Sequence, residues 1–346
     1  MDTLVSSHLI IPFLIAMFLA INMGGSGTAP SFSVAFGSNV IKKNAIPGLF
    51  GLMVFLGAII AGKATAKTVG NGIINPELLN YAQVSIILFA VSISLLIANI
   101  FGIPQSTSQA TVLAVAAPGF YFKEFSSHTL FAEIIPTWFI LPISAFVICL
   151  LIAKYIYKPL RRRGYTISSK INDHYMLKGA IIIMSMYVAF SIGANNVANA
   201  SGPLTTMTMN ELNPQPHGGR SLVLLMIMAT MVVAPSFGIG SSIFGNKILK
   251  NTGKELFLFG RIEAVIIAFI SASLLLLASV VKGVPTSLVQ LNVGAILGFG
   301  VAKMGYKHIF RKTQVRRFFL MWLIAPLIAF GLSWYLTYLA DIYGYI

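Results

Sequence analysis

The sequence predicts an all-α integral membrane protein with two inverted repeats that contain broken helices and re-entrant helical hairpins. Three observations predict this fold: long apolar runs, four Gly-, Ser- and Pro-rich segments between them, and an internal repeat. The 346-residue chain is 57% apolar and only 10% charged, whereas about a quarter of the residues in a soluble domain are charged. The runs are long enough to cross hydrocarbon as helices, and the alternating pattern of a membrane barrel is not visible.

Eight long apolar stretches predict the membrane-crossing helices: 9–24, 45–62, 80–101, 129–153, 178–193, 221–243, 262–281 and 318–340. Four further segments are too polar to face lipid and too apolar to form loops: 25–41, 103–119, 194–210 and 284–301. Unwound backbone at membrane depth is tolerated only where protein or a watery cavity covers it. We therefore expect about eight long helices and four half-helix segments. Of these segments, 25–41 and 194–210 are expected to break helices, and the other two to form hairpin tips.

The two predicted hairpin tips resemble each other at an offset of 181 residues. Gly102, Pro104, Gln109, Val112, Ala114 and Gly119 align with Gly283, Pro285, Gln290, Val293, Ala295 and Gly300. A repeat of this kind predicts two halves, at residues 1–155 and 178–346, joined by a basic linker at 156–177. Inverted repeats are common among secondary transporters, where the substrate site lies at the repeat interface.

The basic residues predict the orientation in the membrane. If the linker is cytoplasmic, nineteen Lys and Arg residues lie on that side and four on the other, with Lys282 at a hairpin tip. Both termini then lie outside, and the halves are inverted. The net charge of +15 follows this distribution, so we expect no nucleic-acid partner, although residues 303–317 should attract anionic lipid. We expect a multi-pass protein of the inner cell membrane without a cleavable signal peptide.

Few residues suit a metal site or a cofactor. The single cysteine, Cys149, excludes an intramolecular disulfide and a Cys-based metal cluster. No pair of the five histidines has a metal-ligand spacing. We expect neither a metal nor a cofactor.

Two kinds of motif resemble the inorganic phosphate transporter (PiT) superfamily. The segment GANNVANASGPL (193–204) is similar to the family signature GANDVANAxGPL, and the two tips are similar to its PVSTTH motif. The resemblance implies an inorganic anion as substrate, a homodimer and an elevator-like movement. Where the family has Asp, this chain has Gly27 and Asn196, and where it has His, this chain has Gln109 and Gln290. These departures resemble the CysP-type sulfate permease branch, which implies coupling to protons.

Hydroxyl and amide side chains of the four motifs are the candidate substrate ligands. They can donate hydrogen bonds, and half-helix N-termini attract oxyanions through their unpaired N–H groups. Any single member can instead be a small packing residue between helices. The candidates are Ser26, Thr28, Ser106, Thr107, Ser108, Gln109, Asn195, Asn196, Asn199, Thr286, Ser287 and Gln290.

The absence of a carboxylate among these candidates favours sulfate. Phosphate keeps at least one O–H near neutral pH and needs an acceptor, and an unpaired buried polar group costs about 1–3 kcal/mol. Asn196 and backbone carbonyls can still accept, so phosphate and thiosulfate stay open as substrates. Glu133 and Glu263 are candidate proton carriers, or groups at span ends that face water or pair with a base. Lys282 is a candidate for attracting the anion, or it reaches a membrane face.

The sequence thus predicts a secondary active transporter that imports sulfate, with proton symport as the expected coupling. A sodium- or proton-coupled phosphate transporter is the alternative, and an anion channel is the alternative of another class. A membrane enzyme would need a nucleophile with an adjacent base or a metal cluster, which the motifs lack. A nucleotide-driven pump would need a Walker loop, which the sequence also lacks.

Overall fold

A computed structural model describes residues 3–101, 105–162, 174–212, 218–245, 249, 260–311 and 313–346. Its helices are α1 (Thr3–Gly37), α2 (Ile46–Ala61), α3 (Lys63–Asn71), α4 (Tyr81–Phe101), α5 (Thr107–Phe122), α6 (Ile135–Ile152), α7 (Lys158–Arg162), α8 (Tyr175–Asn196), α9 (Ala198–Leu212), α10 (Gly218–Val233), α11 (Pro235–Gly240), α12 (Arg261–Leu277), α13 (Leu288–Met304), α14 (Tyr306–Phe310) and α15 (Thr313–Ile342). Short 3₁₀ turns cover Lys43–Ala45 and Pro76–Leu78, and π turns cover His128–Ile134, Ala153–Tyr157, Ser241–Gly245 and Ala278–Lys282.

Eight helical stretches of the described chain are long and apolar enough to cross a membrane, which confirms the eight predicted runs. They are Leu9–Gly37, Lys43–Ala61, Tyr81–Ile100, His128–Leu160, Tyr175–Leu212, Leu222–Gly245, Arg261–Lys282 and Trp322–Ile342. Within the described ranges, extended pairing is limited to an isolated bridge between Ile74 and Phe125. The protein is therefore an all-α, multi-pass membrane protein.

The first predicted helix break is wrong, because α1 continues from Thr3 to Gly37. The glycines at this place allow close helix packing instead of unwinding. A Cβ atom on Gly24 would lie 2.2 Å from the carbonyl oxygen of Phe237, and one on Gly25 would lie 2.6 Å from Cβ of Phe244. Small residues serve this purpose at helix contacts in membranes. The glycine pattern alone therefore does not distinguish a break from a packing surface.

The second predicted break is reduced to Val197, the one residue between α8 and α9. Its φ of −61° and ψ of −34° are helical, so the backbone does not unwind there. The Val197 carbonyl accepts hydrogen bonds from the N–H groups of Ala200 (3.1 Å) and Ser201 (3.0 Å). The interruption divides the signature residues between the end of α8 and the start of α9, within one 38-residue stretch.

The two hairpins have their second helices in matching register. Helix α5 begins at Thr107 and α13 at Leu288, which are 181 residues apart, as the repeat predicts. Helix α5 packs mainly against α15, and α13 packs mainly against α6. The predicted Gly102 and Pro104 of the first tip lie outside the described residues, as do 163–173 of the linker and the basic residues 247, 250 and 254.

A neutral cluster where the hairpin tips meet

All twelve predicted ligands are buried, with exposed fractions of 7% or less. Hydrogen bonds join eight of them into two networks that adjoin along the chain at both tips, and the two networks together form one cluster of the first tip, the second tip and residues beside Val197. Its members on the first tip are Ser106, Ser108 and Gln109. The signature contributes Asn195 and Asn199, and the second tip contributes Thr286, Ser287 and Gln290. Thr107 and Asn196 adjoin the cluster in sequence.

The two tips contact each other through a reciprocal amide pair. Gln109 Nε2 donates to Gln290 Oε1 at 3.2 Å, and Gln290 Nε2 donates to Gln109 Oε1 at 2.9 Å. These residues are equivalent in the internal repeat, and they replace the histidines of the resembling family motif. The pair therefore holds the beginnings of α5 and α13 together without any formal charge.

Matching serine caps begin the two half-helices. Ser106 Oγ accepts from the N–H of Gln109, and Ser287 Oγ accepts from the N–H of Gln290, each at 3.3 Å. Serine is a preferred N-cap because its hydroxyl satisfies one of the unpaired N–H groups of the first turn. The two serines are a further identical pair of the repeat, and the spacing from Ser to Gln is the signal that reveals them as caps. Two capped N-termini, each with a partial positive charge, thus meet at the cluster.

Asn195 links the tips through all the polar atoms of its amide. Its Oδ1 accepts from Ser108 Oγ (3.0 Å) and from the backbone N–H of Thr286 (3.3 Å). Its Nδ2 donates to Ser279 Oγ (2.7 Å) and to the carbonyl of Val284 (3.3 Å). Because a backbone N–H can only donate, the contact with Thr286 fixes which end of the amide is the oxygen. Asn195 therefore has no capacity left for a substrate in this conformation.

Two buried amide oxygens in or beside the cluster have no hydrogen-bond partner among the described residues. Asn199 Nδ2 donates to Ser108 Oγ at 3.2 Å, which leaves Asn199 Oδ1 unpaired. Asn196 Oδ1 is unpaired as well. An unpaired buried acceptor is costly, so each oxygen is a place where a ligand with a donor group would gain affinity.

Ser26 and Thr28 are buried, but their hydroxyls do not join this network. Ser26 Oγ donates to the Met23 carbonyl at 3.0 Å, and Thr28 Oγ1 donates to the Gly24 carbonyl at 2.7 Å. The Thr28 side chain lies against Gly245, the last residue of the π turn that follows α11. Back-bonding of this kind satisfies a hydroxyl within its own helix. The continuity of α1 is the reason why these two residues pack between helices here.

The charged candidates make none of the cluster's hydrogen bonds. Glu263, with 5% exposure, lies in the first turn of α12, and its Oε1 pairs with Nζ of Lys303 at 2.5 Å. Lys303 is in the last turn of α13, about 22 Å along that helix from the tip. Glu133 is half exposed and lies 3.6 Å from His128 Nδ1. Lys282 is exposed at the end of the last π turn.

Two residues that the sequence did not single out also take part in these contacts. Trp138 Nε1 donates to the carbonyl of Pro285 at 2.9 Å, and Ser279 Oγ accepts from Asn195. The hydrogen bonds of the cluster's described residues involve no carboxylate. The described ranges also contain no group of three His, Cys, Asp or Glu residues that could hold a metal ion. The cluster is therefore a neutral set of amides, hydroxyls and helix N-termini.

Comparison with known proteins identifies the family. A model of the phosphate transporter family matches residues 23–333. The chain belongs to the phosphate transporter family. The protein is thus a membrane transporter of inorganic anions and not an enzyme.

Relatives within this family carry both sulfate and phosphate names. The chain is 32% identical to the sulfate permease CysP of Bacillus subtilis (strain 168), over 96% of this chain and 88% of that protein. It is 24% identical to a putative phosphate permease of Thermococcus kodakarensis, over 97% and 98% of the two chains. A solved structure described as the sodium-dependent phosphate transporter superposes with a TM-score of 0.81 at 21% identity, covering 97% of this chain and 99% of the other. The solved structure establishes the shared fold.

Proposed function

We propose that the protein is a secondary active transporter that imports sulfate at the cluster between the hairpin tips. The observation that carries the proposal is the neutrality of that cluster. Sulfate is a dianion without a proton to donate, so it needs donors and is repelled by carboxylates. Two capped helix N-termini and several hydroxyl and amide groups supply donors, and positions 27 and 196 hold Gly and Asn. The 32% identity to a sulfate permease supports the same substrate.

In this proposal the amide pair is part of a closed state that rearranges when the anion binds. Each glutamine has one N–H left after pairing, because an amide nitrogen carries two hydrogens and donates one of them to its partner. Those hydrogens and the N–H groups in the first turns of α5 and α13 are the donors for sulfate oxygens. The formal charge of the anion is stabilised by dipoles.

Phosphate is the second candidate substrate, and a separate observation favours it. The unpaired oxygens of Asn196 and Asn199 are acceptors, and the O–H of a hydrogen phosphate ion could satisfy one of them. The putative phosphate permeases among the relatives agree with this alternative. Sulfate leaves both oxygens unpaired unless water or an amide rotation pairs them.

Competition for uptake separates the two substrates. Purified protein in proteoliposomes is tested for uptake of radiolabelled sulfate with unlabelled phosphate or thiosulfate as competitor, and empty liposomes are the control. We expect unlabelled sulfate to compete more strongly than phosphate. Stronger competition by phosphate would overturn the sulfate proposal and favour the second candidate.

We also propose that protons drive the uptake. Glu263 is the stronger carrier candidate, because its buried carboxylate pairs with Lys303, whereas Glu133 is half exposed. The Glu263–Lys303 pair lies at the end of α13 far from the tip, so we propose that Glu263 couples to transport through movement of the hairpin and not through contact with the anion. Uphill sulfate uptake under an imposed pH gradient, without sodium, is the expected result. Downhill flux alone would indicate an anion channel, and a strict requirement for sodium would contradict proton coupling.

A further inference from the structure

We propose that Trp138 is a positioning residue that holds the second hairpin tip so that the N-terminus of α13 faces the anion. The proposal rests on the proposed function only in assuming that some oxyanion binds at this tip. Trp138 lies on α6, is 8% exposed, and donates its indole N–H to the Pro285 carbonyl at 2.9 Å. An indole has one donor and no other polar atom, so this contact leaves Trp138 nothing with which to bind the anion.

The backbone of the second tip depends on contacts from outside the hairpin. A π turn ends at Lys282, Gly283 takes a left-handed φ of +62°, and residues 283–287 are not helical. A Cβ atom on Gly283 would lie 2.8 Å from the Ala64 carbonyl oxygen, so the tip also approaches α3 closely. Within the tip, Val284 N–H bonds the Ala278 carbonyl at 3.0 Å. The carbonyls of Val284 and Pro285 are paired by side chains of other helices.

Three side chains from three helices hold this backbone. Trp138 from α6 bonds the Pro285 carbonyl, and Asn195 from α8 bonds the Val284 carbonyl and the Thr286 N–H. Thr65 from α3 donates to the Ser279 carbonyl at 3.3 Å. Asn195 bonds Val284 and Thr286, and Trp138 bonds Pro285, which lies between them in the sequence. Helix α6, which carries Trp138, is also the main packing partner of α13.

These contacts matter for function because N–H donors at a helix N-terminus act only when they are aimed correctly. A hydrogen bond weakens steeply as its angle falls towards about 120°, so a small tilt of the tip reduces the donors' effect. Trp138 therefore acts on anion affinity through the position of Ser287 and the first turn of α13. Loss of its N–H should loosen the second tip and leave the first tip unchanged.

The test compares Trp138→Phe with replacement of Trp138 by benzothienylalanine, which keeps the two-ring shape and lacks the N–H. Trp334→Phe, on an exposed part of α15, is the matched control. Uptake is measured with whichever oxyanion the wild type transports. For both Trp138 variants we expect KM to rise about threefold to tenfold, the range for one hydrogen bond, with Vmax within about twofold. The control should match the wild type in both parameters.

Hydrogen–deuterium exchange provides a readout that does not depend on the substrate. Both Trp138 variants should speed exchange in peptides covering 284–291 about threefold to tenfold, with no change in peptides covering 107–112. Unchanged KM with unchanged exchange would overturn the proposal, as would a loss of thermal stability with the KM unaffected. If the wild type takes up no oxyanion, the proposed function fails, and the exchange result alone decides whether Trp138 holds the tip.

Discussion

The amide pair between Gln109 and Gln290 allows a sharp test of whether the tips meet as described. Methionine has nearly the same length as glutamine but no amide. Replacing Gln109 alone removes two hydrogen bonds and leaves one buried N–H and one buried carbonyl of Gln290 unpaired. At about 1–3 kcal/mol for each of these two groups, the single variant should lose about 2–6 kcal/mol of unfolding free energy. The same estimate applies to Gln290→Met.

The double variant should be more stable than either single variant. Replacing both partners with apolar groups of similar shape leaves neither amide unpaired, and such changes are often nearly neutral. We therefore expect a coupling energy of at least about 2 kcal/mol in a double-mutant cycle, measured by unfolding in mixed detergent micelles. Gln83→Met is the control partner, since its amide bonds Thr337 instead. Together with Gln109→Met it should be additive within about 0.5 kcal/mol. Additive losses for Gln109 and Gln290 would refute the contact between the tips.

Three further predictions follow from the structure. Asn199→Asp adds a carboxylate to the cluster. With this carboxylate about 5 Å from the bound anion and an effective dielectric near 20, repulsion costs ~3 kcal/mol for each charge of the dianion, so the affinity for sulfate should fall at least about a hundredfold. Unchanged affinity would place the anion elsewhere. Glu263→Gln should abolish the effect of an imposed pH gradient on uptake, with Glu77→Gln as an exposed control; a retained gradient effect removes Glu263 from coupling. Gly24→Ala forces a Cβ to 2.2 Å from a backbone oxygen and should cost about 1–3 kcal/mol of unfolding free energy. Gly48→Ala is the control, because its Cβ would meet nothing within 4 Å. Equal melting temperatures for the two variants would contradict the packing of α1.

The sequence predicts the spans and tips well because both depend on local composition. Length and hydropathy are sufficient for the eight spans. The internal repeat aligns Gln109 with Gln290, and the structure brings these two residues into contact. The repeat therefore predicts which positions of the two tips correspond. The serine caps follow from local spacing, although the alignment has to include Ser106 and Ser287 to reveal them.

Features that depend on distant packing could not be read from the sequence. Glycines at 24 and 25 are compatible with unwinding or with close approach, and only the position of Phe237 and Phe244 decides for close approach. Trp138 resembles any aromatic residue in a span until Pro285 is placed beside it. Asn195 has the composition of a ligand, yet its amide is used entirely within the protein.

The central claim is that an oxyanion binds between two capped helix N-termini without a carboxylate beside it. A cryo-electron microscopy map of the protein with saturating sulfate tests this most directly. We expect tetrahedral density within about 3.2 Å of N–H groups at the start of α5 or α13, bounded by Gln109, Gln290 and Asn199. Sulfate bound away from both helix starts, or in contact with an acidic side chain, would contradict the account.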